Sequence, residues 1–217
     1  MLEDDLELTS NPVGTLAALR VLGVQRVRVA IRWYYIAPRP NSARAPSHFN
    51  WAEYISWRNP RIASFFQYLL HDPLPSLRSD DWGGFASGLR NYNRKAKATY
   101  AAWRLPLYMP VTRARRGQRL EVWGCARAAR YAILDTGLPQ TVRIELQPRG
   151  RGGFETIRSA TISRPTASCY FDLRVRFPTS GIVRLSWPYP TLDSGLGYFD
   201  PLKPHTAHSR SVSITIR

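Results

Sequence analysis

Alternating apolar residues in the second half of the chain restrict the fold more than any other feature of the sequence. Apolar side chains fall at every second position in Val142–Leu146, Phe171–Phe177 and Val212–Ile216. This period of two is typical of strands that bury one face. The predicted strands are Arg119–Trp123, Thr141–Gln147, Phe154–Ile162, Tyr170–Phe177, Gly181–Trp187 and Ser211–Ile216. Six short strands separated by turns rich in Gly and Pro predict an all-β, immunoglobulin- or fibronectin-like sandwich over residues 105–217.

Residues 1–104 have the pattern of an α/β segment instead. Asn11 is a good helix N-cap, Pro12 suits the first helical position, and Gly23 can end the helix. The segments predicted next are a strand over Val27–Trp33, a short helix over Trp51–Trp57, a strand over Ile62–Leu70 and a helix over Tyr92–Trp103. We therefore expect a domain boundary between residues 104 and 105.

The positive charge of the chain suggests an acidic partner without identifying it. The formal net charge is +16, and nearly all of the basic residues are Arg spread along the chain. Direct nucleic-acid binding would rest on net charge alone, because no docking motif is recognisable. The densest cluster is Arg113, Arg115, Arg116 and Arg119 in a predicted turn. These four residues are the candidates for contact with a polyanion.

Cysteine and histidine usage leaves the redox state open and gives no reason to expect a metal or another cofactor. Cys125 and Cys169 are compatible with a disulfide in an exported protein or with two buried thiols. His205 and His208 have no third ligand close to them in the sequence. No apolar run reaches the ~18 residues of a membrane span. The chain starts with acidic residues, whereas a signal peptide starts with basic ones. The localisation of the protein stays open.

Three stretches of the chain resemble a known family of enzymes. They are LEDDLELTSNPVGTLAALRVLGVQRVRVAIRWYYIAP, NWAEYISWRNPRIASFFQYLLHDP and FASGLRNYNRKAKATYAAWRLPLYMP. Together they resemble bacterial, mainly actinobacterial, glycoside hydrolases of the retaining TIM-barrel clan, with families 39 and 5 the most similar. The resemblance implies pieces of a barrel followed by a C-terminal β-sandwich. A TIM barrel takes about 250 residues, so residues 1–104 would form only an incomplete α/β remnant.

The resemblance also implies that catalysis is lost. Retaining glycosidases need two carboxyl groups, which in this clan are a Glu after Asn and a Glu before Phe-Gly or Tyr-Gly. Neither motif occurs in this chain, and Glu53, in the barrel-like part, is predicted to face solvent from a helix. We expect a truncated, glycoside hydrolase-related protein with no catalytic residues. A non-catalytic carbohydrate- or polyanion-binding β-sandwich module is the alternative, and whether the chain is an enzyme stays open.

Four residues are candidates for substrate binding, namely Trp33, Gln67, Asp72 and Trp82. Tryptophan faces stack on sugars, Gln67 could point into a site, and Asp72 follows a predicted strand where barrel loops form active sites. Each has a structural alternative, which is packing for the Trp and Gln residues and turn capping for Asp72. The partner that the resemblance implies is a carbohydrate. Open strand edges of a barrel remnant would also favour self-association.

Overall fold

The computed structural model describes residues 10–24, 47–67, 70–74, 88–150, 152–189 and 205–217. Contacts divide the chain into two compact units, Met1–Arg39 and Pro40–Arg217. The strand predicted over Val27–Trp33 lies outside the described residues. The domain boundary between residues 104 and 105 stays a prediction.

Helix α1, Pro12–Val21, is the described element of the first unit. The predicted cap is confirmed, because Gly14 N donates a hydrogen bond of 3.1 Å to Asn11 Oδ1. Proline at the first helical position needs no hydrogen-bond donor. Gly23 follows the helix with a φ of 74°, a backbone conformation that favours glycine.

The described residues of the second unit form three helices. These are α2 Ser47–Arg58, α3 Ala98–Arg104 and α4 Ala129–Thr136. Helix α2 contains the predicted Trp51–Trp57. Helix α3 is shorter than predicted because a turn precedes it, in which Asn91 N donates to Lys95 O and Arg94 has a φ of 65°. Helix α4 was not predicted.

Nine strands form two sheets in the described part of the chain. The strands are β1 Leu107–Tyr108, β2 Arg113–Ala114, β3 Arg119–Cys125, β4 Gln140–Pro148, β5 Glu155–Ile162, β6 Tyr170–Arg176, β7 Gly181–Tyr189, β8 His205–His208 and β9 Val212–Ile216. One sheet has the order β1-β3-β6, and the other has the order β2-β9-β7-β4-β5 with β8 paired to β7. Only the β2–β9 pair is parallel among these described pairs.

The core contains alternate residues from strands of both sheets. Val142, Ile144 and Leu146 of β4 are buried, as are Leu185 and Trp187 of β7. They form one cluster with Leu120 and Val122 of β3, Val175 of β6 and Ala129, Ala132 and Ile133 of α4. The six strands predicted from the sequence are confirmed, with ends that differ by at most two residues.

The predicted fold class, a TIM-barrel remnant followed by an immunoglobulin- or fibronectin-like sandwich, is wrong. Within the described part of residues 1–104 the regular elements are helices, and pairing is limited to isolated bridges at His71–Arg90 and Arg90–Ala96. The segment 62–67, predicted as a strand, is irregular. A β/α barrel needs neighbouring parallel strands, whereas the described part of the chain is mostly β, with two sheets and few helices.

Shortening a core side chain is expected to destabilise the fold strongly. Leu185→Ala removes a fully buried side chain from β7, and we expect unfolding to become easier by about 2–5 kcal/mol. Leu134→Ala is the matched control, because Leu134 on α4 is 58% exposed and its loss should change stability by less than about 0.5 kcal/mol. Urea unfolding measures both variants. Equal losses would contradict the assignment of Leu185 to the core.

Candidate functional site

Glu53 of helix α2 is buried completely, with none of its surface exposed. The prediction that it faces solvent is therefore wrong. Its carboxylate forms an ion pair with Arg127, and the Tyr170 hydroxyl donates to Oε1 at 2.9 Å. The helix buries Phe49, Asn50, Ala52, Glu53, Tyr54 and Ser56. Glu53 lies within this buried face.

Arg127 is held in place from a second direction. Its Nε donates to the carbonyl oxygen of Trp103 at 2.9 Å, and its guanidinium lies 3.7 Å from the centre of the Trp103 ring. Cation–π contact of this kind is attractive. The guanidinium therefore joins α2 to the end of α3.

Burial raises the pKa of two groups in this cluster, Glu53 and Tyr170. It raises the pKa of Glu53, while attraction and hydrogen bonding from Arg127 and a hydrogen bond from Tyr170 act in the opposite direction. Burial and the neighbouring Glu53 also raise the pKa of Tyr170 to about 12. A carboxyl group with a raised pKa can act as a general acid, but a substrate cannot touch a side chain with no exposed surface. We assign Glu53 to anchoring of α2.

A second carboxylate, Glu121 on β3, lies on the sheet face that α2 covers. Its Oε1 accepts hydrogen bonds from the Tyr54 hydroxyl at 2.6 Å and from Arg58 Nη1 at 3.3 Å. Its Oε2 is 3.0 Å from Arg174 Nη2. Burial is the main cause of the raised pKa of Tyr54, and the hydrogen bond to Glu121 adds to it. Glu121 thus joins α2 to an arginine of the neighbouring strand β6.

Aromatic side chains fill the space between α2 and the three-stranded sheet. Tyr54 lies 4.8 Å from Tyr108 and 5.6 Å from Trp123, measured between ring centres. Trp57 lies 6.0 Å from Trp123 and 6.1 Å from Tyr170. Such spacings are favourable for aromatic pairs. Tyr54 and Trp123 are buried, whereas Trp57 is 39% exposed, so this layer of rings beneath α2 extends to the surface.

The predicted arginine cluster lies beside this sheet. Arg113, Arg115, Arg116 and Arg119 are all exposed in or next to the β2–β3 turn. In the β3–β6 ladder Arg119 lies opposite Arg176 and Glu121 lies opposite Arg174. The fold thus adds Arg174 and Arg176 of β6 to the four arginines of the turn. We call these six residues the arginine surface.

A cleft of about 350 Å³ opens on the arginine surface. Arg113, Arg119 and Arg174 line it, together with Gln118, Leu120 and Glu121. Of the six arginines, only Arg174 has a carboxylate partner among the described residues, and that partner is Glu121. Like charges directly opposite each other on paired strands are unfavourable, as at Arg119 and Arg176. The surface therefore carries an excess of positive charge.

The four residues predicted to bind substrate are not brought together in the described part of the chain. Trp33 and Trp82 lie outside it. Asp72 pairs with Lys97 at 2.7 Å and accepts a hydrogen bond from Gly88 N at 2.8 Å. Gln67 is half-buried in an irregular segment. Neither Asp72 nor Gln67 lines the arginine cleft, and their role in binding stays a prediction.

Cys125 and Cys169 form a disulfide, which decides the alternative that the sequence leaves open. Their Cα atoms are 4.8 Å apart, and the bond links the end of β3 to the residue before β6. Among the described residues, no group of three or more His, Cys, Asp or Glu side chains is placed to hold a metal ion. Nor does the described part contain a helix long and apolar enough to span a bilayer.

Comparison with known proteins assigns no family. No family model and no curated protein matches this chain. A superoxide reductase (neelaredoxin) from Ignicoccus hospitalis matches with a TM-score of 0.33 and 9% identity, over 52% of this chain and 80% of that chain. A putative superoxide reductase from Thermotoga maritima matches with a TM-score of 0.32 and 11% identity, over 51% of this chain and 83% of that one. Such low scores carry over neither a fold nor an activity.

The resemblance to glycoside hydrolases is wrong. No glycoside hydrolase family model matches this chain, and the described part of residues 1–104 contains no β/α unit. The expectation of a truncated, glycoside hydrolase-related protein rested on this resemblance and is therefore also wrong. Its alternative, a non-catalytic carbohydrate- or polyanion-binding β-sandwich module, gains no support from the comparisons. The predicted carbohydrate partner and self-association through a barrel remnant rested on the same resemblance and stay untested.

The buried carboxyl of Glu53 is expected to make stability depend on pH. A raised pKa means that, above the ordinary value of 4.5, the folded state binds more protons at this site than the unfolded state. The contribution of Glu53 to the free energy of unfolding is therefore largest in acid and falls as pH rises through the raised pKa. Glu53→Gln keeps an acceptor oxygen and removes the titration. Relative to this variant, the wild type should lose stability between about pH 4 and about pH 7.

Denaturant unfolding at both pH values measures this difference. Glu155→Gln, which removes an exposed glutamate from β5, is the control for general loss of a negative charge. The raised pKa would be contradicted if the stability difference between wild type and Glu53→Gln stayed constant, or if the wild type gained stability relative to the variant as pH rose.

Proposed function

We propose that this protein contacts an anionic partner through the arginine surface. The observation that supports the proposal is a group of six exposed arginines, three of which line one cleft, with a single carboxylate partner among the described residues. Arg113, Arg115, Arg116 and Arg119 come from β2, the following turn and the start of β3, whereas Arg174 and Arg176 come from a strand that pairs with β3. An anion on this surface would relieve the repulsion between Arg119 and Arg176.

The chemistry of the arginines favours phosphate or carboxylate groups in the partner. The guanidinium group is planar, stays charged and donates two parallel hydrogen bonds to such groups. Arg113 and Arg119 reach the cleft from different strands. A partner with several negative charges along its length can therefore contact more than one of them at once. We infer a polyanion rather than a single small ion.

Binding is electrostatic in this proposal and should weaken with salt. Charges on an exposed surface are screened over about 10 Å at 0.1 M salt. The affinity for a polyanion should therefore fall steadily as ionic strength rises. An uncharged polymer should show no such dependence.

Replacing three arginines tests whether position matters beyond total charge. The variant Arg113→Gln/Arg119→Gln/Arg176→Gln removes three positive charges from the arginine surface. We expect its dissociation constant for inorganic polyphosphate to rise by roughly tenfold, as the loss of several exposed ion pairs implies. Fluorescence anisotropy with a labelled polyphosphate chain measures the change at low salt.

The control removes the same charge from another place. Arg143, Arg158 and Arg164 are exposed on or just after strands β4 and β5, and none of them lines the cleft. Their triple change to Gln should alter the dissociation constant by less than about twofold, because only long-range attraction is lost. Equal losses in both triple variants would show that net charge governs binding and would remove the case for a defined surface.

A further inference from the structure

Both side chains that bond Oε1 of the buried Glu53 carboxylate lie next to the disulfide in the sequence. Arg127 follows Cys125 by two residues, and Tyr170 follows Cys169 directly. Arg127 forms the ion pair with Glu53, and Tyr170 donates the hydrogen bond of 2.9 Å. The covalent bond therefore holds together the two chain segments on which the anchor of α2 depends.

The disulfide closes one end of the β3–β6 ladder. Cys125 lies opposite Tyr170 as the last paired residue of β3. Just beyond, Ala126 N donates to Cys169 O at 3.1 Å. Without the covalent bond, this end of the ladder is held by backbone hydrogen bonds, which open most easily at strand ends, and by packing of Tyr170 on Trp123.

The aromatic packing beneath α2 depends on the same ladder end. The Tyr170 ring lies 5.4 Å from Trp123 and 6.1 Å from Trp57 of α2. Displacing Tyr170 would therefore remove a hydrogen bond to Glu53 and a packing contact with α2 together. A buried carboxylate that loses a partner is less stable, so displacement of Tyr170 would weaken the docking of α2 on the sheet.

The two cysteine residues differ in exposure. Cys125 is fully buried, whereas Cys169 is partly exposed. A thiolate reacts by attacking one sulfur of a disulfide, which releases the other sulfur as a thiolate. The partly exposed Cys169 is therefore the residue that an external thiol meets first.

We infer that thiol–disulfide exchange at Cys125–Cys169 controls the docking of α2 on the three-stranded sheet. The co-reactant is a dithiol. Its thiolate attacks Cys169 Sγ, the sulfur–sulfur bond breaks, and Cys125 Sγ leaves as a thiolate that takes up a proton. The second thiol of the reagent then displaces Cys169 Sγ. The reagent ends as a disulfide, and the protein has gained two electrons and two protons as two thiols.

This inference is independent of the arginine surface, which lies at the other end of the β3–β6 ladder. Arg119 and Arg176 form the first pair of that ladder, and Cys125 and Tyr170 form the last. In the reduced protein, α2 should open while the six-stranded sheet stays folded. The core strands β4 and β7 pair with each other from Arg143 to Pro148 without any contribution from the disulfide.

Hydrogen exchange of the full chain, with and without dithiothreitol, tests the inference. In reduced protein, the amides of Ser47–Arg58 should exchange faster by about tenfold or more, which is the factor expected for loss of a charged hydrogen bond. The amides of β4 and β7 should change by less than about threefold. The double variant Cys125→Ser/Cys169→Ser should resemble the reduced protein and should not respond to dithiothreitol.

Tyr170→Phe separates the disulfide from the hydrogen bond that it positions. This variant keeps the disulfide and the ring, so its α2 should exchange faster than in wild type and faster again after reduction. Unchanged exchange of α2 after complete reduction of wild type would overturn the inference. Simultaneous loss of protection in α2, β4 and β7 would also overturn it, because reduction would then unfold the protein rather than release a helix.

Discussion

The buried carboxylate of Glu53 connects three parts of the chain that are far apart in sequence. Its partners Arg127 and Tyr170 lie 74 and 117 residues away. A carboxylate taken out of water is unfavourable by several kcal/mol unless it is paired, so helix α2, the turn after β3 and the start of β6 must form together. Helix α2 consequently packs against the three-stranded sheet, with aromatic rings between the helix and the strands.

The strands could be predicted from the sequence because their signal is local. Val142, Ile144 and Leu146 alternate within one segment, and the structure buries all three. The pairing order could not be predicted in this way, because β3 pairs with a strand that is distant in sequence. Cys125 at the end of β3 and Cys169 just before β6 are 44 residues apart. The prediction that Glu53 faces solvent is wrong for the same reason. Charge predicts exposure in general, and the exception depends on a distant guanidinium that local spacing does not reveal.

The arginine surface was visible only in part from the sequence. Arg113, Arg115, Arg116 and Arg119 are close together in the chain and form an obvious cluster. Arg174 and Arg176 were not recognised, because charged residues at alternate positions are normal on the outer face of a strand. Register places them opposite Glu121 and Arg119. The helix and aromatic patterns that resembled a glycosidase are also local, and they recur in unrelated folds, so only the pairing of strands could decide the fold.

The two ends of the β3–β6 ladder differ in the interactions that act on them. At one end Arg119 and Arg176 repel each other, and Arg174 next to them is balanced by Glu121. At the other end the disulfide between Cys125 and Cys169 holds Cys125 opposite Tyr170, and this covalent link does not depend on charge. Glu121 also accepts the hydrogen bond from Tyr54 of α2. Helix α2 is therefore tied to both halves of the ladder, by Glu121 toward the arginines and by Glu53 toward the disulfide. At the disulfide end the anchoring carboxylate of Glu53 is fully buried, whereas the arginines at the other end are exposed, so the docking of α2 depends most on the contacts that the disulfide holds in place.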